Sequence, residues 1–391
     1  MADDERRPVI ISCDGHATGR PDDYVPYIEP AYRAQYDDFV RALAAGRAAH
    51  RQATEEDRSL FSKEGSDAFQ AETGDARDGE WNSTVRTQVL EGEGVVAEVL
   101  FPNAGVPFGG FGESAAHELR AAGNRAYDRW LVDFAGDTPG RRAALAMLTV
   151  HDLDATVSEI AWAREHGMRG VIVPTVPGEG LPPYYDPVYD RLWAACQDHE
   201  LPVHIHGGSG TPDYGDYGAA SMLVYATETV YFAHRPLWFL IWGGVLERFP
   251  RMKLVFTESR ADWVPSTLFY LDGIYSQRFF SHIRQTVKLK PSEYWQRQCY
   301  VAASFMGPDE SAMRHEIGLD KLMWGADYPH LEGTWPRTRK SLARCFRGVP
   351  LDEARMILTE NPAALYRFDA DALQAVADRV CPTAAELTGA A

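Results

Sequence analysis

Short apolar runs rich in β-branched residues alternate along this chain with longer stretches in which apolar residues return every three or four positions. The runs at 9–14, 95–101, 143–148, 170–174, 202–206, 253–258, 299–304 and 321–327 read as strands. Several are apolar without alternation, the pattern of parallel strands covered on both faces. Helical spacing fills the gaps. One helix is expected over 153–166, with Asp152 as its N-cap and Gly167 as its stop, and others over 187–199, 237–249 and 263–275. Strand and helix in alternation give βαβ units. Eight of them in one chain point to an α/β fold, a (β/α)8 TIM-like barrel, ahead of two doubly wound domains.

The first crossover breaks the rhythm, since about eighty residues separate Asp14 from Val95. The stretch 47–81 is polar and mixed in charge, whereas 21–36 is aromatic and contains prolines. Residues 17–94 therefore read as a lid-like insertion after the first strand, over the C-terminal face of a barrel spanning 1–368. Residues 369–391 read as a C-terminal helix and tail.

Composition narrows the partners. The 391 residues carry a formal net charge of −17, which repels phosphate backbones and anionic membrane surfaces. The five cysteines, at 13, 196, 299, 345 and 381, form no CxxC pair and suit small core residues in a reducing compartment. The N-terminal residues have no apolar signal segment, and no apolar run approaches a membrane span. A cytoplasmic protein acting on a small molecule is the expectation.

Active sites of such barrels lie at the C-terminal ends of the strands. Strand one ends in Asp14-Gly15-His16, strand five in His204-Ile205-His206, strand six in Glu258-Ser259-Arg260, and strand eight in Asp327-Tyr328-Pro329-His330. Strands four and seven offer only Pro174-Thr175 and Ser304. Residues two apart on a strand share a face, so Asp14 and His16 can reach one ion, with His206 and Asp327 converging from the ends of strands five and eight. Two imidazoles and two carboxylates suit one divalent cation with an open position, zinc in first place and manganese or iron as the others. His204 lies deeper on its strand, behind the expected ligands.

At these residues the chain resembles the amidohydrolase superfamily, in the branch that contains aminocarboxymuconate-semialdehyde decarboxylase. The motifs are Ile11-Ser-Cys-Asp-Gly-His, Leu201-Pro-Val-His-Ile-His-Gly, the segment from Gly244 to Ser259, the block from Met323 to Pro336, and Ile357-Leu-Thr-Glu-Asn-Pro-Ala. The resemblance covers 10 to about 368, outside 47–94. It implies a metal-binding barrel whose ligands fall on Asp14, His16, His206 and Asp327. Asp327 would also take the proton of an attacking water, His330 and Glu332 would line the pocket, and a homodimer would be one assembly open to it. Three departures stand out. The first pair is Asp14-x-His16, where the family mostly has His-x-His or Glu-x-His. Glu258 occupies a strand-six position that is often a histidine central to decarboxylation. No lysine lies between Lys63 and Lys253, so one metal is expected and not two.

The first expectation is therefore a metal-dependent hydrolase. Asp327 serves as general base and acid, Glu258 and His330 assist, and Arg260, His204, Tyr328 and Trp335 are candidates to contact a carboxylated substrate. Tyr184, Tyr185, Tyr214 and Tyr217 lean toward an aromatic or unsaturated one. A non-oxidative decarboxylase is the alternative, with Asp327 or Glu258 protonating carbon. A catalytically dead ligand-binding barrel is the third reading.

Overall fold

The structure, a computed structural model, describes residues 6–54, 63–110, 115–215 and 217–389. Eight parallel strands follow one another in sequence order: β1 (Ile11–Ser12), β2 (Ala97–Leu100), β3 (Arg142–Met147), β4 (Gly170–Ile172), β5 (Val203–His206), β6 (Leu254–Thr257), β7 (Cys299–Ser304) and β8 (Leu322–Gly325). The ends meet. The Cys13 N–H donates to the Trp324 carbonyl at 2.8 Å, and Gly15 bridges to Tyr328 in parallel register. The result is the expected (β/α)8 barrel. Among strand residues, all but His206 and Tyr300 are buried, which is why the runs are apolar on both faces.

Strands β1, β2, β4, β5, β6 and β8 are shorter than their apolar runs. The ladders stop before Asp14, Glu258 and Asp327, leaving these acids at the C-terminal mouth. Glu258 and Asp327 then turn into the left-handed region, with φ of 51° and 58°. Such backbone is uncommon for residues with a side chain and is concentrated at functional sites.

The helices Leu153–Glu165 and Trp263–Ser276 match the periodic pattern closely. Asp152 caps the first, accepting from the N–H groups of Asp154 and Ala155. The expected helix at 187–199 becomes a 3-10 turn, Pro187–Tyr189, followed by the helix Asp190–Asp198. The one expected at 237–249 starts instead at Ala219 and ends at Trp242. Pro236 resembles a helix start but sits inside it. Gly244, at φ 67°, then separates the short helix Val245–Arg248. No helix of the described residues is long and apolar enough to cross a membrane.

Most of the insertion is helical: Arg33–Thr54, Lys63–Thr73 and Ser83–Glu93. Residues 55–62 of it lie outside the described residues. The C-terminal segment carries the helix Ala370–Val380 and a second, Ala384–Thr388, whose Leu387 and Thr388 are buried.

The insertion is fastened to the barrel by one buried side chain. Arg86, from the helix Ser83–Glu93, grips the Glu98 carboxylate of β2 with two bonds of 2.6 and 2.7 Å. It also donates to the carbonyls of His16 at 2.7 Å and Gly79 at 3.1 Å, and stands 5.0 Å from the Tyr328 ring centre. Arg142 of β3 approaches Glu98 from the other side at 3.5 Å. Burying charges is costly, and the two-pronged geometry with extra acceptors offsets that cost. Removing one partner leaves the other uncompensated. Arg86→Met should therefore destabilise the fold by about 3–5 kcal/mol, and pairing it with Glu98→Met should cost less than the sum of the two single changes. Urea unfolding midpoints check this, and a wild-type midpoint for Arg86→Met would contradict it.

Candidate metal centre and active site

The strand ends bring six titratable side chains together. His16 Nε2 lies 3.5 Å from Asp14 Oδ1, 3.1 Å from Asp327 Oδ1 and 3.9 Å from Glu258 Oε2. His206 Nε2 lies 3.4 Å from Asp14 Oδ1 and 3.2 Å from Glu258 Oε2. His330 Nδ1 lies 2.9 Å from Asp327 Oδ1, and its ring stacks on His16 with centroids 3.9 Å apart. Two overlapping sets, Asp14–His16–His206–Glu258 and His16–Glu258–Asp327–His330, hold one donor atom per residue within 4.8 Å of one another.

The donors suit a cation. Carbonyl oxygens only accept, so His16 Nδ1 donates to the Pro102 carbonyl at 2.7 Å and His206 Nδ1 to the Gly207 carbonyl at 3.0 Å. Each ring then turns its Nε2 lone pair into the cluster, the arrangement of metal-binding histidines. His16 Nε2, both Asp327 oxygens and His330 Nδ1 are buried without a hydrogen bond of acceptable geometry, despite their close approaches. Buried polar atoms are rarely left so unless an ion or water completes them.

The field of the cluster points the same way. Burial, then the charges of Asp327, Asp14 and Glu332, push the Glu258 carboxyl well above its ordinary range. Burial opposes charge on His206 and His330, yet the carboxylates win. Glu258 and Asp14 lift His206 to about 9, and Asp327, with Glu332 and Asp14, lifts His330 to about 9. A pocket that holds protons this firmly without an ion is one that a divalent cation can enter by displacing them. Between the two, His16 is held well below its usual value by burial and by His330.

Packing fixes the donors. Ser304 of β7 donates to the Asp14 carboxylate and accepts from the Glu258 N–H at 3.2 Å. Gly15 separates the first pair because a Cβ there would stand 3.1 Å from both Arg86 Nη2 and Glu98 Oε2. At Gly207 a Cβ would meet the Glu258 carbonyl at 2.6 Å.

The other expected residues are placed elsewhere. His204 is fully buried, its ring nitrogens taken by the Val171 carbonyl and the Tyr366 hydroxyl. Arg260 pairs with Asp262 at 3.0 Å and approaches Glu310 at 3.9 Å. Tyr328 is buried and donates to the Ala76 carbonyl of the insertion, while Trp335 packs edge-on against Tyr328 and Phe69. Tyr184 is buried, whereas Tyr185 and Tyr217 are exposed. Beside His206 opens a cavity of about 760 Å³, walled by the segments that follow β2, β3, β4 and β5. The sequence marked Ser304 as a polar strand end without giving it a role, and it gave no role to Arg86 or to this cavity's Arg120. Only Ser304 carried a signal, as a polar residue at a strand end.

An eight-stranded parallel barrel with a cation-seeking cluster at its strand ends defines a class of metal-site barrel proteins. Residues 104–368 match the family model described as amidohydrolase, and the chain belongs to that family. No curated protein matches the sequence. Among solved structures, it is similar to 5-carboxyvanillate decarboxylase from Sphingomonas paucimobilis, at 20% identity and TM-score 0.64 over 92% of this chain and 99% of that one. An amidohydrolase from Mycobacterium avium subsp. paratuberculosis gives 19%, 0.67, 92% and 99%. A dihydroxybenzoic acid decarboxylase from Polaromonas sp. JS666, with bound manganese and the inhibitor 2-nitroresorcinol, gives 14%, 0.65, 92% and 97%.

His234 supports the β6 end from behind. Its Nε2 donates to the Ser259 carbonyl at 2.9 Å, its ring stacks on Trp263, and burial pulls its pKa down to about 4. The unfolded chain therefore binds a proton here that the folded chain refuses between pH 6.5 and about 4. This contribution to stability is complete above pH 6.5 and lost as the pH falls. His234→Gln should flatten the fall in Tm over that window, and an unchanged slope would contradict the assignment.

Proposed function

We propose that this protein is a metal-dependent, non-oxidative decarboxylase of a small aromatic or unsaturated carboxylic acid. The observation that carries this reading is the placement of Glu258. Of the three carboxyls in the cluster, only its side chain is open, at 21% exposure, against 0% for Asp14 and Asp327. One acid thus faces the mouth beside the donor set. The decarboxylases among the similar structures support the same chemistry.

Asp14, His16, His206 and Asp327 would hold a divalent ion, zinc in first place and manganese or iron as alternatives, which when bound would supply positive charge to a substrate carboxylate. The C–C bond to the carboxylate breaks, CO2 leaves, and the bonding pair stays on carbon. The Glu258 carboxyl gives its proton to that carbon and recovers one from water through its open face. His330, paired with Asp327, keeps that carboxylate oriented. The insertion is tied to the barrel beside the site through Arg86 and Ala76.

Hydrolysis is the second reading, favoured by the Asp327–His330 pair at 2.9 Å. A carboxylate backed by an imidazole can take a proton from water and return it to a leaving group. Incubating the metal-loaded protein with a panel of aromatic acids, amides and lactones separates the two. CO2 release without amide or lactone opening is expected, and the reverse would overturn the decarboxylase reading. Glu258→Gln should lower kcat by about 10²–10⁴ while metal content holds. Wild-type turnover in that variant would contradict the proton assignment.

A further inference from the structure

The cavity beside His206 runs from the donor cluster along the ends of β2 to β5. Polar side chains of its wall are turned to protein partners. Ser209 shares a hydrogen bond of 2.9 Å with the Thr175 hydroxyl and accepts from the Thr175 N–H at 2.9 Å. Asn103 donates to Glu80 at 2.8 Å and accepts from the Ala104 N–H at 2.7 Å. Thr211 pairs with Thr229 at 3.1 Å. Arg120 pairs with His117, whose ring stacks on His151. The rest of the wall is largely aliphatic, from Ala104, Val150, Ile172, Pro174, Val176 and Pro177. The loop after β5 adds little bulk, because three of its wall positions are glycines, Gly207, Gly208 and Gly210. A Cβ on Gly210 would meet Val176 Cγ2 at 2.8 Å, so this loop lies close on Val176 and holds it in the wall. The acids of the wall, Glu179 and Asp213, are exposed.

A carboxylate placed at the donor cluster takes up only one side of this space. About 760 Å³ lies within the range of roughly 300–1,000 Å³ typical of small-molecule sites, and a single aromatic ring leaves most of it unfilled. An apolar group entering it leaves water behind and breaks none of the hydrogen bonds of the wall, since the hydroxyls and the amide keep the partners they have. A second anionic group would give up its hydration and face Glu179 and Asp213 instead. We propose that the cavity is a tail site, which selects an acid carrying an uncharged aliphatic substituent. Val150, Ile172 and Val176 pack against that substituent. The inference rests on the decarboxylase reading only for the carboxylate at the donor cluster. The tail is held and leaves unchanged.

Titration calorimetry on the full chain loaded with manganese tests this, with benzoate, 4-ethylbenzoate, 4-butylbenzoate and benzene-1,4-dicarboxylate as the probes. From benzoate to 4-butylbenzoate the affinity should rise about threefold for each carbon added. The heat capacity change of binding should grow more negative along the same series, as burial of apolar surface requires. The dicarboxylate should bind no more tightly than 4-ethylbenzoate. Val176→Phe, which fills part of the cavity, should bring 4-butylbenzoate to within about threefold of benzoate and leave benzoate itself unaffected. Val176→Ala, which keeps the space open, should retain most of the rise and guards against a misfolded Phe variant. Equal affinities along the alkyl series in the wild type, tighter binding of the dicarboxylate, or a rise that survives Val176→Phe in full would overturn the tail site. A CO2 assay on the same acids keeps the two ideas apart. A rise abolished by Val176→Phe, with no CO2 from any acid, leaves the tail site standing and removes the decarboxylase reading. CO2 release without any dependence on the tail does the opposite.

Discussion

A buried two-pronged ion pair, Arg86 to Glu98, lies beneath the corner Asp14-Gly15-His16. Three parts of the molecule meet there. Arg86 arrives from the insertion, Glu98 from β2, and the His16 carbonyl from the end of β1. The same guanidinium lies against Tyr328, which follows β8. One cation therefore ties the insertion to the seam where the barrel closes and to the backbone of a residue proposed to hold a metal. Its desolvation is tolerable only because every N–H direction finds an acceptor or a ring. That demand explains the glycine between Asp14 and His16, since a side chain there would press on the pair.

From this corner the site is built by constraint as much as by charge. The Pro102 carbonyl turns His16, the Gly207 carbonyl turns His206, and Ser304 braces Asp14 against the backbone of Glu258. The three carboxylates stand close enough that their mutual repulsion needs a cation, whether protons on the imidazoles or a divalent ion. Left-handed backbone at Glu258 and Asp327 is held by the surrounding barrel, and it aims both acids across the mouth instead of along their strands.

Much of this was legible in the sequence. Strands buried on both faces are apolar runs, so all eight could be found, and their polar last residues marked Asp14, His16, His206, Glu258 and Asp327. Helices with one apolar stripe, such as Leu153–Glu165, were legible for the same reason. What escaped had no such contrast. The inserted helices are mostly polar and pack through isolated residues such as Arg86 and Tyr36, so they carry little apolar periodicity. The helix Ala219–Trp242 exposes Leu223, Val224 and Tyr231, which blurred its stripe, and it carries Pro236 in its interior. Arg120 and Arg86 looked like ordinary surface charges. Only the folded chain shows that one walls a cavity and the other supports the site.

Binding of one divalent ion by the strand-end cluster is the claim from which the chemistry follows. The most direct measurement is anomalous X-ray scattering from crystals of the protein purified with manganese. A single peak, one ion per chain, bounded by the Asp14 and Asp327 carboxylates and by Nε2 of His16 and His206, is the predicted result. A metal-replete protein with no peak there, or with its only ion elsewhere, would contradict the account.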